Sequence, residues 1–260
     1  MMRLGALLLA MLSAGAAAAQ GASICTDRPT KANATCTVPK GKLQLETNAL
    51  GWALTEMGST RTELLNIGSS VAKLGVTGRS DLQIGFAPIA QLTTPEGARR
   101  RISGIGDVLV RYKHRLTREE TSVSVAVIPF VKLPTASTGL GNGEVEGGLA
   151  VPIAFPLRGP LTMTLGPEAD VLADADGIGR HLALVNLINL SLPVGQGWAL
   201  AGELWTNINF DPAGTVTQAS ADAAVTYIVS KNLQLDAGAN LGLNANTPKV
   251  ELYAGVALRF

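Results

Sequence analysis

The run from Val250 to Phe260 limits this chain more than any other stretch. Val250, Leu252, Ala254, Val256, Leu258 and Phe260 share one parity; Glu251, Tyr253, Gly255, Ala257 and Arg259 share the other. Side chains on a strand alternate between faces, so the segment has one wholly apolar face and one mixed face. The sequence then stops on Phe260 with no polar tail after it. Such a strand must bury its apolar face against a second layer, as in a soluble β-sandwich, or turn it to lipid. A transmembrane barrel strand of about 9–11 residues has this pattern. The order Gly255, Leu258, Phe260 also resembles the C-terminal signal read by the outer-membrane insertion machinery, with Tyr253 as its polar member.

Residues 1–19 read as a secretory signal. Arg3 supplies the charge, Leu4–Leu12 the apolar core, and Ala17, Ala18 and Ala19 a small-residue cleavage site before Gln20. No other run approaches the ~18 apolar residues of a membrane helix. An exported chain that enters a membrane without helices must do so as a closed barrel, because an open sheet edge cannot sit in lipid. The two cysteines, Cys25 and Cys36, follow the signal. An even count in an exported chain predicts a disulfide between them. The segment 20–40 has no periodicity and is rich in Thr, Asn, Asp and Pro. It is expected to be a stapled periplasmic lead-in, with the barrel in 41–260. A metal site is the alternative, against which stands the lack of a nearby His; no metal or cofactor is expected.

The chain is 47% apolar and 16% charged, with a mean hydropathy of +0.26. That is too apolar for an ordinary soluble domain and too interrupted for a helical membrane protein. A net charge of +1 gives no nucleic-acid footprint. Alternation predicts twelve strands: 42–54, 62–74, 80–91, 104–115, 122–133, 144–155, 161–173, 181–192, 198–209, 217–229, 233–244 and 249–260. The segment 233–244 alternates strictly, with Leu233, Leu235, Ala237, Ala239, Leu241 and Leu243 on one face. The weakest are 62–74 and 181–192, the latter with Asn186 on its lipid face. The two longest connections, 92–103 and 134–143, both fall on the outer end, as the barrel rule requires. Tyr112, Phe155, Trp198, Tyr227 and Phe260 all fall on the lipid face near the periplasmic end and form an interfacial girdle; Phe210 marks the other interface. The expected fold is therefore an all-β, transmembrane antiparallel barrel of about twelve strands.

Catalysis has little support. His114 and His181 lie near opposite ends, and neither is followed two residues on by a hydroxyl. No Gly-x-Ser-x-Gly or His-Glu-x-x-His occurs. The run Gly139-Leu140-Gly141-Asn142-Gly143 lacks the Lys of a phosphate loop and reads as an outer loop. Arg99, Arg100 and Arg101 form either a lipopolysaccharide clamp or solvated loop charge.

The inward parity collects Asp107, Glu144, Glu146, Glu168, Asp170 and Glu251 toward the outer mouth, and Glu46, Glu203, Asp222 and Asp236 deeper. Bases of that parity are Arg111, Lys113, Arg259 and Lys132. An Arg or Lys turned to lipid at mid-bilayer would cost about 2–4 kcal/mol, so these groups should face the lumen. Lys132 should pair with Glu144 or Glu146. The excess acid predicts a lumen that favours cations or neutral solutes.

Gly104-Ile105-Gly106-Asp107-Val108 leading to Tyr112-Lys113 resembles a strand of an outer-membrane family associated with the meta-cleavage pathway of phenol degradation. So do Phe130-Val131-Lys132-Leu133-Pro134-Thr135, Cys25-Thr26-Asp27-Arg28-Pro29 and Cys36-Thr37-Val38-Pro39. The resemblance covers 25–260. It implies a barrel and a transport role, and its motifs bring no catalytic residues. The expectation is a monomeric channel for small molecules, aromatic or otherwise hydrophobic, in contact with outer-membrane lipid and lipopolysaccharide. The alternative is a surface barrel with a plugged lumen.

Overall fold

A computed structural model of the chain describes residues 24–58, 60–94, 100–118 and 120–260. The expected signal peptide and Arg99 lie outside them. The strands are β1 (Leu43–Met57), β2 (Thr60–Gly75), β3 (Ser80–Phe86), β4 (Ile89–Thr94), β5 (Arg100–Gly104), β6 (Val108–Arg115), β7 (Ser124–Leu133), β8 (Glu146–Ala150), β9 (Ile153–Pro156), β10 (Thr162–Leu165), β11 (Glu168–Ala173), β12 (Arg180–Gly195), β13 (Trp198–Asn209), β14 (Val216–Ser230), β15 (Leu233–Gly242) and β16 (Val250–Arg259). Every pairing between them is antiparallel, and β1 pairs with both β2 and β16, so the sheet closes on itself.

Sixteen segments make twelve spans, because β3–β4, β5–β6, β8–β9 and β10–β11 are each one span with a short interruption. Three interruptions hold a proline: Pro88, Pro152 and Pro167. Proline has no N–H for the ladder, so it sits where a span is broken. Its carbonyl still accepts: Ala126 N–H donates to Pro152 at 3.1 Å and Val151 N–H to Pro167 at 2.9 Å. The spans 60–75 and 180–195 are among the longest, although their sequence pattern is weak. Cross-strand pairing carries them, with β12 bonded along most of β13.

The burial pattern is inverted relative to a soluble protein. The largest fully buried side chains are Lys73 and Lys113, with Gln44, Gln83 and Asp81 close behind. Most of the buried apolar residues are alanines, while Leu182, Ile188, Leu190, Leu200, Leu204, Leu235, Leu241 and Leu252 are exposed. A belt of exposed leucines around a polar interior has a free-energy rationale only if the belt faces lipid. Asn186 is a polar residue on that face, as the alternation requires, and Thr206 lies opposite it. Trp198 packs on Tyr227 at 4.5 Å between ring centroids, at the end that also carries Tyr112, Phe155 and Phe260.

Both described chain ends lie at the end with the two-residue turns 196–197 and 231–232; the longest connection, 134–145, lies at the other. The turn end is therefore periplasmic. The predicted 92–103 loop is shorter than expected, because β4 and β5 extend the hairpin to Thr94 and Arg100. Among the described residues β5 pairs with β4 alone. The long loop is stitched to the chain just beyond that edge: Ser137 N–H donates to Ile105 at 3.0 Å, and Val108 N–H to Thr135 Oγ1 at 2.8 Å.

Candidate functional site

The site is the lumen, and its main occupant is the segment expected outside it. Residues 24–42 do not hang in the periplasm as a lead-in. They run up into the barrel and bond to its inward-facing side chains. Cys25 and Cys36 are joined by the expected disulfide. Between them the chain carries Asp27, Arg28 and Lys31, and each finds an opposite charge on the wall.

Asp27 is the anchor. Its carboxylate meets Lys73 Nζ at 2.6 Å and also Lys113 Nζ, and it accepts the Ala34 N–H at 2.8 Å. Its own N–H donates to Glu46 at 3.1 Å. Burial pushes the Asp27 carboxyl up, but Lys113, Lys73 and Arg111 together outweigh this and hold it well below the ordinary carboxylate range. Arg28 grips Asp236 with two nitrogens, at 3.1 and 2.6 Å, the fork geometry suited to a carboxylate. Lys31 Nζ reaches Asp222 at 2.7 Å and sits 5.2 Å over the Trp205 ring. The backbone N–H groups of Lys31 and Ala32 both donate to Glu203 at 3.0 Å, and Asn189 donates to the same carboxylate at 3.0 Å. Asn33 accepts from Arg111, and Val38 N–H donates to Asp81 at 2.8 Å.

The predicted lumen residues thus divide. Glu46, Glu203, Asp222, Asp236, Arg111 and Lys113 hold the inner segment. Lys132 pairs with Glu146 at 2.8 Å and lies 3.5 Å from Asp107, forming a separate cluster near the outer rim. Glu144 instead pairs with Arg180 at 2.9 Å. Arg259 bonds Asn232 at 3.1 Å and the Lys231 carbonyl at 2.9 Å at the periplasmic turn, away from the lumen centre. Asn240 donates to Glu251 at 2.5 Å, and Lys31 lies 3.9 Å from that carboxylate. Glu168 and Asp170 sit carboxyl to carboxyl above the inner segment.

Sequence reasoning missed Lys73, Asp81 and the three charges of the inner segment. The signal was the imbalance itself: acids facing a low-dielectric interior need cations, and the aperiodic segment carries Arg28 and Lys31 between its cysteines. The excess acid is correspondingly smaller than the wall alone suggests. His114 lies beside Tyr112, and His181 Nδ1 is 2.8 Å from Asp174 at the outer rim. Among the described residues no group of three His, Cys, Asp or Glu side chains is placed to hold a metal ion.

The segment does not fill the barrel. A cavity of about 300 Å³ lies on its periplasmic side, lined by Thr30, Asn33, Thr164, Asn189, Ala201 and Gln234. Two more, each about 260 Å³, lie beside Lys31. One is toward Trp205 and Asp170; the other is toward Asn66, Asn240 and Tyr253. Residues 28–33 form the constriction between them.

Closed, polar inside and apolar outside, this is a twelve-stranded transmembrane β-barrel of the bacterial outer membrane. Residues 26–260 match the family described as "Putative MetA-pathway of phenol degradation", and the chain belongs to it. Among solved structures it is similar to the "COG4313 outer membrane channel from Pseudomonas putida F1", with a TM-score of 0.71 at 15% identity over 87% of this chain and 98% of that one. It also resembles the NanC porin (TM-score 0.54, 10% identity, 83% and 98% covered). The translocator domain of the autotransporter NalP from Neisseria meningitidis gives a TM-score of 0.51 at 13% identity, with 86% and 90% covered. At such identities these likenesses establish the fold. No curated protein matches the chain in sequence.

Proposed function

We propose that this chain is a narrow, selective outer-membrane channel for small molecules. The observation that carries the reading is the inner segment: it crosses the lumen, yet leaves cavities of about 260–300 Å³ on both sides of residues 28–33. A general porin would leave a wide aqueous bore. Here a solute must pass a constriction of charged and amide groups, with the acids of the outer lumen above it favouring compact cations and neutral molecules. The family description points to aromatic compounds as the solute class, and the name of the Pseudomonas relative to a channel. Lipopolysaccharide at Arg100 and Arg101, a monomeric state and recognition of Gly255, Leu258 and Phe260 by the insertion machinery belong to the same proposal.

A barrel plugged permanently by the same segment is the second reading, favoured by its many ion pairs. Liposome swelling separates the two. Proteoliposomes should swell in small neutral solutes and progressively less in larger sugars. Swelling indistinguishable from protein-free liposomes for every solute would establish the plugged barrel instead.

A further inference from the structure

The breaks in two neighbouring spans, at Val151–Pro152 and Gly166–Pro167, shape a niche in the barrel wall. It is the cavity of about 260 Å³ on the Trp205 side of the inner segment. Its wall is small or aliphatic: Ala150, Pro152, Gly166 and Leu187 line it. Gly166 has no room for a side chain, since a Cβ there would lie 2.7 Å from Leu187. The polar lining is mixed: Lys31, Asn33, Trp205 and Asn207 carry donors, and Glu168 and Asp170 are its acids. Asp170 is only 8% exposed, lines the niche, and its Oδ1 has no hydrogen-bond partner among the described residues. The Oδ1 of Asn207, in the same lining, also lacks one. Glu168 stands beside Asp170.

Buried acceptors without donors are costly, and a ligand that donates to them recovers that cost. The ring face of Trp205 already attracts one ammonium group, that of Lys31. Lys31 itself is committed to Asp222. Glu168 and Asp170 are the acids left on the niche wall, with Arg111 acting on Glu168 from behind Asn33 and Asp170 without a cation partner among the described residues, while the wall opposite is apolar.

We infer that this niche is a binding station for small ring-bearing organic cations, with the ammonium group donating to Asp170 and Asn207 and the ring lying against Trp205 and Leu187. It deepens the channel reading and rests on it, since the station lies on the outer side of the constriction and would load the cation before passage.

The test is isothermal titration of the purified full chain in detergent micelles with benzylammonium, benzyl alcohol and benzoate. Benzylammonium should bind, benzyl alcohol at least about tenfold more weakly, and benzoate not measurably. Asp170→Asn and Glu168→Gln should each weaken benzylammonium about tenfold. Ala150→Leu, which fills the niche and removes no charge, should abolish binding. Glu56→Gln, an acid paired with Lys249 at the outer rim, should leave it unchanged. Heat-modifiable migration in gels checks that each variant is folded; if the acid variants fail it, Ala150→Leu decides. Equal binding of the three ligands, or benzylammonium binding that survives Ala150→Leu, would overturn the assignment. Binding is read without transport, so a protein that conducts but does not bind sinks this inference alone. One that binds but does not conduct sinks the channel reading alone.

Discussion

Asp27 stands between two lysines that are almost wholly buried; removing its charge takes the carboxylate from Lys113 and leaves Lys73 with Glu46 alone. Breaking a buried pair from one side costs about 3–5 kcal/mol, because the remaining charge keeps its desolvation penalty. Asp27→Asn should therefore loosen the inner segment while leaving the barrel closed, since no strand pairing depends on it. The checkable outcome is a larger single-channel conductance with unchanged heat-modifiable migration. The pH dependence follows from the same residue. A carboxyl whose folded pKa lies below its unfolded one contributes stability that is complete above the unfolded value, about 4. That contribution is lost only as pH falls toward the folded value, which for Asp27 is well below the ordinary range. Conductance of the unmodified protein should accordingly not rise between pH 7 and about pH 5, with the segment in place; a rise within that window would show that another group controls the anchor.

At the scale of elements, the last strand closes the barrel. β16 pairs with β1 from Gln44↔Arg259 to Leu54↔Val250, and Phe260 N–H donates to Leu43 at 2.8 Å. Leu258 and Phe260 lie on its lipid face, Phe260 at 57% exposure. Replacing both by Ser should strongly reduce the heat-modifiable, membrane-embedded fraction; normal assembly of that double variant would contradict their assigned role. The spans themselves were legible because a barrel in lipid enforces period-two alternation, most strictly in β15. Two features were not. The breaks at Pro152 and Pro167 were hidden because each preserves the inward parity on both sides, as for Thr164 and Glu168, so alternation reads straight through; at Pro88 the parity shifts, with Phe86 and Ile89 both turned outward. The prolines were the available sign. The span 60–75 was faint because Gly68, in the left-handed region at φ 72°, interrupts its pattern beside Asn66 and Ser69, and tertiary pairing alone extends it.

For the molecule as a whole, the inner segment turns a barrel into a selective passage. It has no periodicity, so local pattern could not place it; only the unmatched acids of the wall pointed to the cations it carries. Arg28 and Lys31 satisfy Asp236 and Asp222 at depth, while Glu168 and Asp170 above them meet no such partner from the segment. The lumen is therefore compensated in its middle and acidic on its outer side, where low-dielectric walls focus the potential. The central claim is that this arrangement conducts and that its outer acids set the preference. It is tested most directly by the reversal potential of the full chain in a planar bilayer under a tenfold potassium chloride gradient. The account predicts a small conductance with a reversal potential displaced toward that of potassium, and a reduced displacement when Glu168 and Asp170 become Gln and Asn. A displacement toward chloride, or one unchanged in that double variant, would contradict it.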